Sequence, residues 1–356
     1  MAAANHSTLT AILDALPHPA IAISAAGRVL VANSASNDLF GDILPESLFS
    51  TRLRAPKLID LVQAVLDGAL PQDCIWMQSG SQATYIAHCK ACDMAAAPQR
   101  GSLPSAVLLT LTDITDSRQS DQMRRDFVAN VSHELRTPLT SLIGFIETLQ
   151  GPAREDAAAR DRFLDIMHSE AARMNRLIGD LLSLSTLQAQ ERVRPKDRID
   201  LHSLAHSVLK GLEPVANSTD ARLFPPKAKA EVWVQGDADQ LRQVLSNLVE
   251  NAIKYGGDGV RVAVTLSGPA PDTILNANAV TLTVSDTGPG IAAIHVPRLT
   301  ERFYRVDDHR SRQMGGTGLG LAIVKHVVTR HRGRMKITSQ PDSGTQVHIL
   351  IPAAGN

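Results

Sequence analysis

The sequence predicts a multidomain α+β protein built from three consecutive units. Three observations predict this fold class: short strand-like runs separated by turn residues at the front, two long helical patterns in the middle, and α/β alternation at the end. At 356 residues, with 44% hydrophobic residues, the chain is long enough to form two or three separate cores. We place the units at residues 1–113, 114–193 and 194–356.

The charge balance and the N-terminal residues exclude several classes of function. Lys+Arg and Asp+Glu both number 36, and aromatic residues make up 3%, so neither nucleic acid nor an anionic membrane surface is an expected partner. The first residues lack the basic segment of a signal peptide, and no apolar run approaches the ~20 residues that cross a bilayer. We therefore expect a cytoplasmic chain with no membrane segment.

The front unit, residues 1–113, predicts a small α+β domain. A helix at 8–16 precedes strands in HPAIAIS and RVLVAN, helices that end at Gly41 and Gly68 follow, and CIWMQ, ATYIAHC and AVLLTLTDI predict three further strands. This order resembles a PAS domain, and a generic α+β domain is the alternative. The single C-x-x-C in HCKAC lies in a strand-like segment, which favours ordinary strand cysteines over a metal or redox pair.

The middle unit, residues 114–193, predicts two long helices separated by GPAREDAAARD (151–161). Their apolar residues recur at threes and fours, which places them on one seam of each helix. The seam positions are Phe127, Val131, Leu135, Leu139, Leu142, Ile146 and Leu149, then Phe163, Met167, Met174, Leu177, Leu181, Leu184 and Gln188. Because one hairpin buries only part of this seam, we predict a homodimer whose four helices form a bundle.

His133 is the residue of the first helix that points to chemistry. At about 100° per residue it lies off the seam, so we expect it to be exposed. Glu134 can orient an imidazole N–H and take its proton, which makes the other ring nitrogen a better nucleophile. Thr137 lies one turn further on the same face and can position a water. Pro138 removes a helical N–H and bends the helix, a kink that packing alone also explains.

The last unit, residues 194–356, predicts an α/β domain. RPKDRID (194–200) is the expected linker, and EVWVQG, VRVAVTL, AVTLTVSD and QVHILIP predict strands around helices at 238–255 and 319–332. The polar, turn-rich segment SGPAPDTILNANA (267–279) predicts a hairpin loop without a chemical role.

Two glycine-rich segments of this unit predict a nucleotide pocket. In DTGPGI, Asp286 ends a strand beside Gly288 and Gly290, where its carboxylate can accept a hydrogen bond from an exocyclic amine such as that of adenine. GGTGLGLAIVKH (315–326) places glycines directly before a helix, whose N-terminus offers N–H groups to phosphate. The segment is neither a Walker A motif nor a Rossmann fingerprint.

A helix at 239–255 adds ligands for a metal–phosphate complex. Asn247 and Asn251 share one helix face, Lys254 follows one turn later, and Glu250 lies three residues after Asn247. Amide and carboxylate oxygens suit a hard cation such as Mg²⁺, and an ammonium suits phosphate.

Five segments together resemble the H, N, G1, F and G2 boxes of sensor histidine kinases, in that order: SHELRTPL, NLVENAIKY, DTGPGI, ERFYR and GGTGLGLAIVKH. The resemblance covers residues 115–356, and residues 126–149 look most like phosphate-regulon sensor kinases. It implies a dimerising hairpin, an α/β-sandwich ATP-binding domain of the gyrase, Hsp90 and MutL type, and the use of ATP with Mg²⁺. It also implies autophosphorylation, phosphoryl transfer to an aspartate of a response regulator receiver domain, and dephosphorylation of that regulator.

The resemblance also implies roles for single residues. His133 is the phosphoacceptor, Glu134 the general base and Thr137 the residue for dephosphorylation. Asn247, Glu250 and Asn251 are the metal-associated residues. The other nucleotide-binding positions are Lys254, Tyr255, Asp286, Gly288, Gly290, Arg302, Arg305, Gly316, Thr317, Gly318, Leu319 and Gly320. Residues 305–315 correspond to the ATP lid, and SGTQV (343–347) fits the closing turn loosely.

Two other functions stay open at this point. An ATPase of the gyrase, Hsp90 and MutL type has a similar pocket and uses a residue such as Glu250 to activate water. The exposed His–Glu pair on a dimerising helix argues against it. A non-catalytic PAS scaffold with a degenerate ATP domain is the second alternative, and the intact glycines and amides argue against that one.

Overall fold

The computed structural model describes residues 2–81, 83–92, 104–189, 193–227, 232–306 and 316–354. The chain forms two compact units, Met1–Val128 and Ala129–Asn356, and the division falls inside one continuous helix. Across these described residues, no helix is both long enough and apolar enough to cross a membrane.

Among its described residues, the first unit contains a five-stranded antiparallel sheet, whose neighbouring strands are, in order, Val29–Ala32, Ala20–Ser24, Ala106–Asp113, Thr84–Cys92 and Gln72–Met77. Its predicted strands and the helices that end before Gly41 and Gly68 are confirmed. The first helix is longer than the predicted 8–16, and a short α3 was not predicted. The elements are α1 (Ala2–Asp14), β1 (Ala20–Ser24), β2 (Val29–Ala32), α2 (Ser34–Phe40), α3 (Phe49–Leu53), α4 (Pro56–Leu66), β3 (Gln72–Met77), β4 (Thr84–Cys92) and β5 (Ala106–Asp113).

A buried asparagine ties together the start of this sheet. The Asn33 side chain is fully buried, and its Oδ1 accepts hydrogen bonds from the Ala20 and Ser36 backbone N–H groups at 2.9 and 3.0 Å. Its Nδ2 donates to the carbonyl oxygens of Leu13 and His18. Because these bonds satisfy the buried amide, one residue joins α1, β1 and α2.

The C-x-x-C cysteines lie in β4, as the strand-like pattern predicts. Cys89 belongs to the apolar core, and burial raises the pKa of its thiol to about 12. Cys92 is half-buried at the end of the strand, and all three cysteines are free thiols. A thiol so far from ionisation is a poor nucleophile or metal ligand, so Cys89 acts as a core residue.

The second unit begins with a helical hairpin of α5 (Thr115–Gln150) and α6 (Ala157–Ala189). The helix α6 begins inside the predicted polar segment 151–161, because Asp156 Oδ1 accepts a hydrogen bond from the Ala159 N–H and three alanines favour a helix. The rings of Phe145 and Phe163 stack 5.2 Å apart across the two helices.

The apolar seam of the hairpin is only partly covered within one chain. On α5, the seam residues Leu139 and Ile146 are 50% and 41% exposed, and on α6 Leu182, which adjoins the seam residue Leu181, is 65% exposed. Leu177 and Leu184 are buried. A helical face of this kind is expected to find a partner, because exposed leucines and isoleucines that share one seam leave apolar area in water.

The remainder of the second unit is a layer of helices against a five-stranded sheet in the order β11-β12-β10-β9-β7, in which only β7 and β9 pair in parallel. A second, two-stranded sheet pairs β6 with β8. The elements are β6 (Asp197–Asp200), α7 (Leu201–Ser218), β7 (Arg222–Phe224), β8 (Trp233–Gly236), α8 (Ala238–Gly256), β9 (Arg261–Asp272), β10 (Ala277–Asp286), a 3₁₀ turn (Val296–Arg298), α9 (Gly320–Arg330), β11 (Arg334–Ser339) and β12 (Thr345–Pro352).

Three predictions for this unit need correction. The expected linker 194–200 contains β6, which pairs with β8. The expected loop 267–279 is mostly strand, since β9 and β10 remain paired as far as Asp272 and Ala277, and the turn covers 273–276 alone. The helix α7 was not predicted, although Asp200 accepts N-cap hydrogen bonds from the His202 and Ser203 N–H groups.

A buried histidine fixes the start of α8. Nε2 of His331 accepts a hydrogen bond from the Asp237 N–H at 3.0 Å, while Nδ1 donates to the Val327 carbonyl oxygen at 2.8 Å. Burial lowers the pKa of His331, which keeps the ring neutral as the acceptor role of Nε2 requires. The neighbouring Arg330 donates from Nε to the carbonyl oxygen of Val193, which fixes the position of the segment that follows the hairpin.

Candidate active site

His133 lies on the exposed face of α5, as its helical phase predicts. Its imidazole has no hydrogen-bond or ion-pair partner among the residues that the structure describes. The ring is therefore accessible to a second reactant, and it is held on a rigid helix.

The carboxylate of Glu134 is not paired with the imidazole as predicted. Its Oε2 accepts hydrogen bonds from Nη2 of Arg173 at 2.9 Å and from Nη2 of Arg305 at 3.1 Å, and the Glu134 side chain is only 13% exposed. Successive residues on a helix project about 100° apart, so Glu134 faces α6 and the following domain while His133 faces solvent. Both contacts are made by Oε2, and no donor among the described residues reaches Oε1.

The helix continues through Pro138 without a break, and Pro138 is buried. Thr137 Oγ1 donates to the His133 carbonyl oxygen at 3.2 Å, and Ser141 Oγ donates to the Thr137 carbonyl oxygen at 3.3 Å. Hydroxyl bonds of this kind bend helices, and Pro138 removes the N–H that would reach the Glu134 carbonyl. Thr137 is exposed and lies one turn from His133, as predicted.

The face of α8 that carries the amides lies against the start of α9. Nδ2 of Asn247 donates to the Gly320 carbonyl oxygen at 3.4 Å. Asn251 is half-buried on the same helix, and Lys254 Nζ lies 3.7 Å from Glu250 Oε2. The predicted helix and its polar face are therefore assembled beside the second glycine-rich segment.

Asp286 ends β10, and one of its oxygens is held by backbone donors. Oδ1 accepts from the Gly288 N–H at 2.9 Å and from the Thr345 N–H at 3.2 Å. Burial raises the pKa of Asp286, and these two N–H groups act in the opposite direction. No donor among the described residues reaches Oδ2, so this oxygen is available to a ligand amine.

The SGTQV turn fits the site more closely than its sequence suggests. Gly344 has φ +75°, and a Cβ there would overlap the Asp286 carbonyl oxygen. Only glycine therefore lets Thr345 approach Asp286. Neither Gly344 nor Thr345 was among the predicted site residues. The Gly–Thr pair directly before a strand was the sequence signal that could have identified them.

Several predicted glycines serve backbone packing. A Cβ on Gly290 would overlap the Gln340 carbonyl oxygen, and one on Gly288 would come within 2.7 Å of the Gly256 Cα. Gly318 has φ +71° and accepts a hydrogen bond from the Phe303 N–H at 2.9 Å. These close approaches hold the two glycine-rich segments against neighbouring backbone.

The remaining predicted positions differ in accessibility. Leu319 is fully buried in the core, and Gly316 is buried, whereas Tyr255 is 39% exposed. Burial lowers the pKa of Arg302. The predicted lid, residues 305–315, lies outside the described residues from position 307 onward.

Arg305 and Thr317 both contact the hairpin. Besides Glu134, Nη2 of Arg305 donates to the Gly316 carbonyl oxygen at 2.7 Å. Thr317 Oγ1 donates to Asp180 Oδ2 at 2.8 Å, and burial raises the pKa of that aspartate. Two residues of the predicted nucleotide pocket are thus bound to the two helices of the hairpin.

The donor set suits a cation only together with phosphate oxygens. Asn247, Glu250 and Asn251 supply amide and carboxylate oxygens from one helix face. In the part of the chain that the structure describes, no three His, Cys, Asp or Glu side chains cluster closely enough to hold a metal by themselves. Mg²⁺ keeps several waters or phosphate oxygens as ligands, so the residues present fit a Mg²⁺–nucleotide complex.

Comparison with known proteins now identifies the two parts of this site. Residues 123–190 match the family model described as His Kinase A (phospho-acceptor) domain, and residues 236–355 match the model described as Histidine kinase-, DNA gyrase B-, and HSP90-like ATPase. The chain contains the two domains of a histidine kinase. The resemblance of the hairpin and the ATP-binding domain to sensor histidine kinases is confirmed.

Individual relatives of these histidine kinase domains are sensor proteins. The chain is 41% identical over 238 residues to the phosphate regulon sensor protein PhoR of Pseudomonas aeruginosa, covering 67% of this chain and 52% of that protein. It is 37% identical over 256 residues to the sensor protein kinase WalK of Staphylococcus aureus, covering 71% of this chain and 60% of that protein. The chain therefore spans a little over half the length of these two curated relatives.

One solved structure resembles the chain over nearly all its length. The histidine kinase ThkA, in complex with the response regulator protein TrrA, aligns with a TM-score of 0.52 and 20% identity. The alignment covers 97% of this chain and 98% of ThkA. At this identity the likeness shows the fold alone.

Proposed function

We propose that the chain is a two-component sensor histidine kinase that phosphorylates its own His133 with ATP and passes the phosphoryl group to an aspartate of a response regulator. The observation that carries this proposal is the exposed imidazole of His133 on a hairpin that lies in the same compact unit as the amide-bearing helix α8 and the two glycine-rich segments. The phosphoacceptor and the phosphate source are thus joined in one unit.

The pocket supports ATP as the phosphoryl donor. Oδ2 of Asp286 can accept a hydrogen bond from the exocyclic amine of adenine while Oδ1 keeps its hydrogen bonds from the Gly288 and Thr345 N–H groups. Tyr255 is exposed enough to contact the base, and Lys254 can move from Glu250 to a phosphate. Asn247, Glu250 and Asn251 would hold Mg²⁺, which neutralises phosphate charge when bound.

The transfer step uses residues of the hairpin. One ring nitrogen of His133 attacks the γ-phosphorus of ATP, a nitrogen–phosphorus bond forms, and the bond to the β,γ-bridging oxygen breaks to release ADP. Glu134 takes the proton from the other ring nitrogen when its carboxylate, bound here through Oε2 to Arg173 and Arg305, turns toward the imidazole. Catalysis by the rest of the chain consists of positioning the phosphate in line with the ring.

The partly exposed seam supports a homodimer. Leu139 and Ile146 of α5 and Leu182 of α6 lie on helices whose partners within one chain cover them incompletely. Packing two hairpins into a four-helix bundle would bury these side chains. The response regulator is the second proposed partner, and phosphotransfer to a panel of receiver domains identifies which one.

Incubation with γ-labelled ATP separates this proposal from an ATPase of the gyrase, Hsp90 and MutL type. We expect label to enter the protein in an acid-labile, base-stable form, because a phosphoimidazole hydrolyses in acid. The release of free phosphate with no labelled protein would reject the kinase in favour of the ATPase. Failure to bind a Mg²⁺–ATP analogue would instead support a non-catalytic scaffold.

Replacement of Thr137 tests whether the chain also dephosphorylates its regulator. Because the Thr137 hydroxyl is exposed one turn from His133 and can position a water, Thr137→Ala is expected to slow regulator dephosphorylation at least ~100-fold, the lower end of the range for one catalytic group. Autophosphorylation is expected to stay near the wild-type level. The measurement is loss of label from a phosphorylated receiver domain; Thr140→Ala, one helical turn away, is the control. An unchanged rate in Thr137→Ala would remove this role.

We further propose that the front unit, residues 1–113, is a PAS-like sensor domain. Five antiparallel strands with helices between the second and third support the resemblance. A role of the chain in a phosphate regulon, by analogy with the phosphate regulon sensor protein PhoR, is a finer proposal that the similarity to WalK does not favour. Phosphotransfer to the receiver domain of a phosphate-regulon regulator, in preference to others, is the result that supports it.

A further inference from the structure

Two residues of the nucleotide motifs form side-chain hydrogen bonds with the hairpin. Arg305 is 4% exposed at its side chain, and its Nη2 is shared between Glu134 Oε2 at 3.1 Å and the Gly316 carbonyl oxygen at 2.7 Å. Thr317 donates its hydroxyl proton to Asp180 Oδ2 at 2.8 Å. We name the four side chains Glu134, Asp180, Arg305 and Thr317 the latch.

The hairpin side of the latch is prearranged. Arg173 of α6 binds the same Glu134 oxygen at 2.9 Å and itself lies 3.6 Å from Glu170, so the carboxylate is already held where Arg305 meets it. Asp180 is a half-buried carboxylate on α6, and Thr317 donates a hydrogen bond to it. A buried carboxylate is costly without such a donor, so each contact contributes to docking.

The chemistry of the latch excludes simultaneous use by a nucleotide. A threonine hydroxyl has one proton, and that of Thr317 is given to Asp180, so it is not available to a phosphate oxygen. Arg305 makes both of its contacts through Nη2, and its side chain is 4% exposed, so a phosphate can reach the remaining guanidinium N–H groups only after the side chain is uncovered. A phosphate that recruits either side chain must displace the hairpin.

We propose that the hairpin and the nucleotide compete for Arg305 and Thr317, so that the latch holds a resting state of low nucleotide affinity and ATP binding opens it. This inference rests on the proposed function, since it requires ATP as the ligand of this pocket. Opening frees Glu134 for His133 at the same time as it frees Arg305 for phosphate.

If the hairpin and the nucleotide compete, a substitution in the hairpin must change the affinity for the nucleotide. The apparent affinity of a ligand is reduced by the fraction of molecules that are not competent to bind it. Weakening the latch from the hairpin side therefore tightens nucleotide binding, although the altered residue belongs to a different domain from the pocket. Because Asp180 is partly exposed and water can replace Thr317 as its donor, loss of this bond is expected to tighten nucleotide binding roughly three- to tenfold, the range of an ordinary hydrogen bond.

The test is calorimetric titration of the full chain with a non-hydrolysable Mg²⁺–ATP analogue, comparing wild type with Asp180→Ala. We expect the dissociation constant of Asp180→Ala to fall roughly three- to tenfold, as for the loss of one such bond. Asp165→Ala, an exposed aspartate on the same helix, is the matched control and is expected to bind as wild type does.

A second variant separates the latch from simple charge removal, because Asp180 lies near enough to Lys254 and Glu250 to interact electrostatically with them. Asp180→Asn removes the charge and keeps an acceptor for Thr317, so its affinity is expected to stay close to that of wild type. Equal tightening in the Asn and Ala variants, or no change in Ala, would overturn the latch. Absence of analogue binding in wild type would instead overturn the proposed function, and the latch with it.

Discussion

Replacing His133 with glutamine is expected to abolish protein labelling by γ-labelled ATP. The imidazole is the exposed nucleophile on α5, and glutamine keeps a polar side chain of similar length without a nucleophilic ring nitrogen. We expect incorporation of the label into the protein to fall at least ~100-fold, because nucleotide binding alone cannot replace the nucleophile that accepts the phosphoryl group. Nucleotide affinity should be unchanged, since His133 does not belong to the pocket.

A matched histidine of the same hairpin provides the control for that result. His168 is exposed on α6, and His168→Gln is expected to be labelled as wild type is. Labelling of His133→Gln at the wild-type level would exclude His133 as the phosphoacceptor. Labelling lost in both variants would point to damage to the hairpin, which thermal unfolding of each variant detects.

Replacing Asp286 with asparagine is expected to cost most of the nucleotide affinity while preserving the fold. Asparagine keeps an oxygen for the Gly288 and Thr345 N–H groups, but it places an amide N–H₂ where Oδ2 stood. That donor would face the amine of adenine. Loss of a charge-assisted hydrogen bond is worth about 1.5–3 kcal/mol, which corresponds to roughly 10- to 100-fold weaker binding.

Titration with the non-hydrolysable ATP analogue measures this loss. Asp258→Asn removes the same charge from an exposed position of the same domain and is expected to bind as wild type does. An adenine contact is contradicted if Asp286→Asn binds ATP and the corresponding GTP analogue with unchanged affinities and unchanged preference.

Local sequence patterns predict the parts of this fold that depend on one element at a time. The seam of α5 and α6 follows from apolar spacing, and the same helical phase correctly predicts that His133 is exposed. The bounds of α8 and α9 follow from periodicity, an aspartate N-cap and glycines.

The predictions that failed depend on partners distant in the chain. Glu134 was expected to face the imidazole, yet Arg173 and Arg305 bind it from 39 and 171 residues away. The segment 267–279 contains glycine, proline and asparagine, but pairing with the neighbouring strand keeps most of it extended. Neither a charge partner nor a strand partner at such separations is readable from local propensity.

In the candidate site, too, local motifs were recognised and contacts between distant residues were not. Asp286 and its glycines were identified from one short motif, whereas the SGTQV turn was matched only loosely, and its Thr345, which donates to Asp286 from 59 residues away, was not named as a site residue. The contact of Thr317 with Asp180 spans 137 residues and has no local signal at all.

Locating the phosphoryl group within the labelled chain decides whether His133 carries it. Wild-type protein is incubated with Mg²⁺–ATP, kept at alkaline pH, digested, and its phosphopeptides are sequenced by mass spectrometry. We predict a single acid-labile phosphoryl group on the imidazole of His133, which moves to a receiver-domain aspartate when a regulator is added. An acid-stable phosphoryl group on a serine or threonine, or one on His168, would contradict the proposed mechanism.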